Sequence, residues 1–202
     1  MKSLVHRLLR EALIQERLNV GSKERIHTSN TEITEIYDTT GKLGVREKPF
    51  GFWYGFGDNW KILATKAINR PVTHAYKLYI DKSKICQLIT VDDVTRFSQK
   101  YVTLDANGRD YFPNWSEVAK DYSGIEIPNY KTDNLRNLHG KDNLKKNHRL
   151  YWWLYGWQLE SGCIWKPDGL IKLKPLGGGE GIHTPEDPKT KGRRAWDYGV
   201  DL

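Results

Sequence analysis

The sequence predicts an α+β fold, a single mixed domain of short strands with interspersed helices. Three observations lead there. The 202 residues suffice for one domain with a full core and fall short of two. Strand-length runs of aromatic and β-branched residues recur, bounded by turn residues. Between them lie segments that read as helices, several with a capping side chain in front.

Met1–Asn19 places Leu4, Val5, Leu8, Leu9, Ala12 and Leu13 on one helical stripe. Charge interrupts it throughout, so it reads as a docked helix and not as a secretory leader. Gly21-Ser22 ends the pattern, which divides the chain into an N-terminal helix (1–20) and the body of the domain (21–176). Glu24–Ser29 reads as a short strand, and Thr31–Tyr37 as either a helix start or another strand. Thr39–Lys42 is a turn, and Lys48-Pro49 leads into the aromatic run Gly51–Gly57, GFWYGFG. Asp58–Ile68 reads as a helix capped by Asp58 and ended by Pro71. Ala75–Ile80 and Lys84–Ile89 are strand candidates around the turn Asp81-Lys82-Ser83.

Thr90 caps a helix over Val91–Tyr101, with Asp92 and Asp93 in its favourable first turn. Asp105–Pro113 reads as a loop containing Asn107-Gly108. Asn114–Tyr122 is a helix with Trp115, Val118 and Ala119 on its apolar side, and Ile125–Ile127 a short strand closed by Pro128. Lys131–Arg149 carries six Lys/Arg against two Asp without apolar periodicity, and reads as an exposed loop. Trp152–Trp165, WWLYGWQLESGCIW, lacks a 3.6-residue period; like Gly51–Gly57 it reads as strand lining a cleft for a flat ligand. Leu170–Leu173 is the last strand, and the Gly- and Pro-rich residues 177–202 read as a flexible tail.

Charged residues are 28% and hydrophobic ones 38%, the balance of a soluble domain, and no run approaches the roughly 18 apolar residues of a membrane span. Cys86 and Cys163 lie in strand-like ICQLI and GCIW, read as buried free thiols without metal-ligand spacing, and suit a reducing cytoplasm. The net charge of +7 favours polyanionic partners. Lys141, Lys145, Lys146 and Arg149 are the candidate contacts to a phosphate backbone, with plain solvated surface as the alternative. HExxH and GxxxxGK[ST] are absent, and Gly177–Gly181 lacks the strand–loop–helix context of a phosphate loop, so no metal site is expected.

Three segments resemble the ADP-ribosyltransferase fold of diphtheria-type toxins and poly-ADP-ribose polymerases. Ile26-His27-Thr28-Ser29 resembles the His-Gly-Ser that opens that family's NAD site. Gly51-Phe52-Trp53-Tyr54-Gly55 resembles its Gly-Ile-Tyr-Phe-Ala strand, and Trp53 aligns with the tyrosine that stacks on nicotinamide. Glu160–Trp165 resembles its Glu-Tyr-Ile-Val-Tyr strand with the catalytic glutamate, although Ser161, not Glu160, falls in that glutamate's register. The order His, aromatic, Glu is the family's, over roughly residues 25–175. A closer resemblance is to a group of uncharacterised bacterial and phage proteins with Gly-Leu-Trp-Phe-Ser, Tyr-Asp-Gly-Ile and Trp-Asp-x-x-Ser-Gly-Cys-Ile-Trp segments. Here these are GFWYG, Tyr122–Ile127 and Trp157–Trp165, with Gln158 where that group often has Asp.

The resemblance implies split β-sheets with flanking helices, NAD as co-substrate, and a site built from His27, Thr28, Ser29, Gly51, Trp53 and Tyr54. A carboxylate, Glu160 or its rival Glu126, would stabilise positive charge developing on the ribose as the nicotinamide bond breaks. Each has a bland reading as well: His27 as a surface or core histidine, Glu160 as an edge-strand charge, Glu126 as a solvent-face residue between Ile125 and Ile127. Trp53 and Tyr54 point to opposite faces of a strand. The implied activity is transfer of ADP-ribose to a macromolecule, nucleic acid first and protein next. The implied setting is a cytoplasmic toxin, toxin–antitoxin or antiphage role, with an antitoxin or immunity protein as a further partner. Hydrolysis of NAD is a second enzymatic reading. The rival from another class is a nucleic-acid-binding module without catalysis, which calls for aromatics interleaved with Lys/Arg. Trp152–Trp165 contains no Lys or Arg, and the basic loop no aromatic, which favours an aromatic pocket beside a basic docking surface.

Overall fold

The computed structural model describes residues 24–57, 73–104, 111–130, 135, 138 and 148–176. In chain order its elements are β1 (Arg25–Ser29), β2 (Phe52–Phe56), β3 (His74–Ile80), β4 (Ile85–Gln87), α1 (Val91–Tyr101), β5 (Val102–Leu104), β6 (Tyr111–Pro113), α2 (Trp115–Asp121), β7 (Gly124–Ile127), a long 3₁₀ helix (His148–Trp157), β8 (Ser161–Ile164) and β9 (Leu170–Pro175). The fold is mixed α+β, as expected. Seven strands form one sheet in the order β4-β7-β8-β2-β1-β3-β9, and β5 and β6 pair separately. Within the large sheet β4 and β7 run parallel and the other neighbours antiparallel.

Both described α-helices start where the capping residues place them. The Thr90 hydroxyl accepts from the Asp93 N–H while the Asp93 carboxylate accepts from the Thr90 N–H, a reciprocal box that satisfies two otherwise orphaned donors. Asn114 caps α2 through the Glu117 N–H. Val94, Phe97 and Tyr101 on α1, and Trp115, Val118 and Ala119 on α2, are buried at helical spacing. With Trp153, Trp157 and Trp165 they cover the sheet face carrying Cys86, Ile125, Ile127 and Cys163. The opposite face buries Tyr54, Phe56, Leu78, Ile80, Ile85 and Ile164. Cys86 and Cys163 are buried free thiols, and burial pushes Cys86 up to about 12.

Four expectations need correction. Tyr111–Pro113 is not loop: it is a strand zipped against Val102–Leu104. Thr31–Tyr37 is neither helix nor strand. The aromatic stretch is not strand throughout, because His148–Trp157 winds as a 3₁₀ helix and extends only from Ser161. The basic segment is not exposed throughout, since Leu135 and Leu138 are buried in the main core. The expected helices at Met1–Asn19 and Asp58–Ile68, the tail 177–202, and Lys141, Lys145 and Lys146 lie outside the described residues. Among the described residues no helix is long and apolar enough to cross a membrane.

Candidate functional site

The strands that carry the three resembling segments are neighbours, in the order β8-β2-β1. Their pairing is unequal. β2 runs against β8 from Phe52↔Ile164 to Gly55↔Ser161, and β1 runs against β3 from Arg25↔Leu78 to Ser29↔His74. Between β1 and β2 only Arg25↔Phe56 and Ile26↔Gly55 pair. From His27 and Tyr54 onward the backbone ladder stops, a fork in the hydrogen-bonding pattern that the His27 side chain bridges.

His27 stands at this fork. Its Nδ1 lies 2.5 Å from the Trp53 carbonyl oxygen, an acceptor that a β1 amide does not reach here. A carbonyl only accepts, so Nδ1 carries the hydrogen and Nε2 is the acceptor nitrogen. Burial draws the His27 pKa down to about 4, outweighing the raising effect of the bond to Trp53, so the imidazole is neutral at physiological pH. The ring stacks on Phe52 with centroids 4.2 Å apart.

Alternation along the strands sorts the remaining candidates. Arg25 and His27 share a face with Phe52, Tyr54 and Phe56, as the His27–Phe52 stack and the Arg25 guanidinium over the Phe56 ring (5.3 Å) confirm. Trp53 and Thr28 face the other way. Trp53 lies against Trp157, centroids 5.1 Å apart, beside the main core. The imidazole and the indole therefore do not face one another across a common gap: His27 stacks on Phe52 and pairs across the ladder with Tyr76, and Trp53 points to the opposite face of the sheet. Tyr54 is not at the fork surface, being fully buried.

Among the described residues two buried side-chain polar atoms lack a partner, Thr28 Oγ1 and Trp157 Nε1, both on the Trp53 side. The other buried indoles are satisfied: Trp115 donates to the Arg46 carbonyl, Trp153 to Ser98 Oγ and Trp165 to the Tyr122 carbonyl. An unmade hydrogen bond at a buried donor costs about 1–3 kcal/mol, so two such groups on one side of a fork offer a ligand ready partners.

Glu126 is fully buried, and its two oxygens are taken up. Arg25 donates from Nε to Oε2 and from Nη2 to Oε1, both at 2.8 Å. The Tyr54 hydroxyl donates to Oε2 at 2.9 Å and Gln87 Nε2 to Oε1 at 2.9 Å. The node ties β1, β2, β4 and β7 together. Gly162 makes it possible: Tyr54, Gly162 and Glu126 lie in one cross-strand row. A Cβ on Gly162 would sit 2.4 Å from Tyr54 Cζ and Oη, so only glycine lets the phenol lie across β8 to reach the carboxylate. A carboxylate neutralised by a bidentate arginine and accepting four hydrogen bonds has no lone pair to offer a reaction. Glu126 is thus not the solvent-face residue, and its oxygens are engaged by Arg25, Tyr54 and Gln87. Glu160 precedes β8 directly and is buried. Ser161 donates to the Leu159 carbonyl and is committed to the backbone. Ser29 accepts from the Thr31 N–H at the exposed end of β1, and Gly51 lies just before β2.

Sequence reasoning missed Arg25, Gln87 and Trp157. For Arg25 a signal existed: it alternates with His27 on a strand, and a buried arginine needs a carboxylate, while Glu126 between two isoleucines needs a cation. Among the described residues no group of three or more His, Cys, Asp or Glu is placed to hold a metal ion. Compared with family models, curated proteins and solved structures, the chain has no match.

Proposed function

We propose that the fork between β1 and β2 binds NAD and that the protein transfers ADP-ribose from it to a macromolecule. The observation that carries this reading is that backbone pairing of β1 with β2 ends at His27, on neighbouring strands that bear the His, aromatic and Glu segments. A neutral imidazole whose Nδ1 is anchored presents Nε2 as an acceptor, which suits a ribose hydroxyl. Thr28 Oγ1 and Trp157 Nε1, buried and unpartnered, fit the polar edges of a nicotinamide nucleotide. Phe52 and Trp53 supply aromatic faces on either side.

The reaction breaks the bond between the nicotinamide nitrogen and the ribose carbon. Nicotinamide leaves with the bonding electrons, the acceptor's oxygen or nitrogen takes the ribose carbon, and the acceptor loses a proton. Positive charge on the ribose asks for a carboxylate, and the resemblance points for that role to Glu160, buried directly before β8, with Glu126 as its rival. The conflict role, the antitoxin partner and the cytoplasmic setting belong to the same reading, through the resemblance alone.

The test is incubation of the protein with adenine-labelled NAD and RNA, DNA or cell lysate. Label on a macromolecule with matching nicotinamide release supports transfer. Free ADP-ribose in every arm assigns hydrolysis instead, and intact NAD in every arm refutes the reading.

A further inference from the structure

The 3₁₀ helix His148–Trp157 is ten residues long, where runs beyond three or four are uncommon. Its three residues per turn sort its side chains into rows. Trp153 and Gly156 form one buried row and Leu154 and Trp157 another, whereas Arg149, Trp152 and Tyr155 are all exposed. Trp152 is 46% exposed and Tyr155 70%, the latter equalled only by Ile171 among the large hydrophobic side chains described as exposed. An arginine thus lines up with two aromatic rings on one outer edge. In the sequence the basic and aromatic stretches look separate; the winding of the helix joins them.

The edge is basic as well as aromatic. The Arg149 guanidinium lies over the Tyr111 ring of β6 at 5.9 Å, which orients it without neutralising it. Arg46, also exposed, is tied to the same strand through its N–H to the Pro113 carbonyl. The carboxylate of Glu47 packs at Gly156, in a buried row and not on the outer edge. Consecutive outer side chains rise about 6 Å apart, at about 2 Å per residue. That is close to twice the 3.4 Å separation of stacked bases, so one base fits between successive rungs.

We propose that Arg149, Trp152 and Tyr155 form a docking ladder for single-stranded nucleic acid. Bases stack on Trp152 and Tyr155, and Arg149 pairs with the backbone phosphate that follows. Duplex is disfavoured because its bases already stack on each other. The proposal does not rest on NAD cleavage, and its test needs no NAD.

The test is fluorescence anisotropy with end-labelled twelve-nucleotide oligo(dT), oligo(U) and a duplex of the same length, in a series of salt concentrations. The wild type is expected to bind the single strands more tightly than the duplex, and the oligo(dT) and oligo(U) arms separate DNA from RNA. Trp152→Ala with Tyr155→Ala is expected to weaken single-strand binding by about 5- to 150-fold for each lost ring, with the melting temperature retained because both rings are on the surface. Arg149→Gln keeps both rings and is expected to flatten the slope of log affinity against log salt by about 0.7. Tyr79→Ala, an exposed ring on β3, should leave affinity unchanged. Absence of binding to either single strand in about 50 mM salt, equal binding of duplex, or wild-type affinity in the double variant would each overturn the proposal.

Discussion

Glu126→Gln separates a structural node from a catalytic acid. The substitution keeps shape but removes the charge, and it turns an N–H₂ donor toward groups that are themselves donors: Arg25, the Tyr54 hydroxyl and Gln87. With Glu126 fully buried and the Arg25 side chain 8% exposed, water cannot take the carboxylate's place. Breaking one side of such a buried pair costs about 3–5 kcal/mol. A domain is stable by about 5–15 kcal/mol in all, and with a urea m value near 2 kcal/mol per M the midpoint should fall by about 2 M. Equilibrium urea unfolding followed by tryptophan fluorescence reads this directly. Arg25→Met with Glu126→Leu removes both charges together and should recover most of the loss, because apolar residues of similar volume replace buried ion pairs at little cost. NAD cleavage per folded molecule should change little in Glu126→Gln. A variant within about 1 kcal/mol of wild type that loses cleavage 100-fold or more would refute this reasoning and return Glu126 to the reaction.

Gly162→Ala should destabilise by about 3 kcal/mol, since its methyl meets the Tyr54 ring, which cannot move without giving up Glu126; Gly41→Ala, with open space around it, should stay within about 0.5 kcal/mol under the same denaturation assay. His27 gives a pH signature. Its folded pKa of about 4 lies below the unfolded value of about 6.5, so between those values the unfolded chain binds the extra proton and stability falls as pH drops. The loss should be on the order of 2–3 kcal/mol from pH 7 to 4 and level off below, and His27→Gln should abolish this part of the acid slope in thermal melts at stepped pH.

Helix α1 was legible because a cap, acidic residues in the first turn and a 3.6-residue stripe all agree at Thr90–Tyr101. The short strands β1, β2 and β7 were legible from β-branched and aromatic runs cut by glycine and proline. The 3₁₀ helix was not. A three-residue period falls between the two periods by which helices and strands are recognised, so WWLYGW looked like strand. The buried node was half legible: Glu126 announces itself between two isoleucines, but its cation lies a hundred residues away, and only the sheet order brings Arg25 to it. The fork was not legible at all, since the run lengths of β1 and β2 do not say how many of their residues pair with one another. That order also places His27 and Trp53 on opposite faces, a consequence of register that no local motif encodes.

The most direct test of the account is calorimetric titration of NAD into the wild type and into His27→Ala. Saturable one-to-one binding is expected for the wild type, with affinity at least tenfold weaker in the variant from loss of the anchored acceptor at the fork. Heats that never rise above dilution at millimolar NAD, or equal affinity in both proteins, would contradict it.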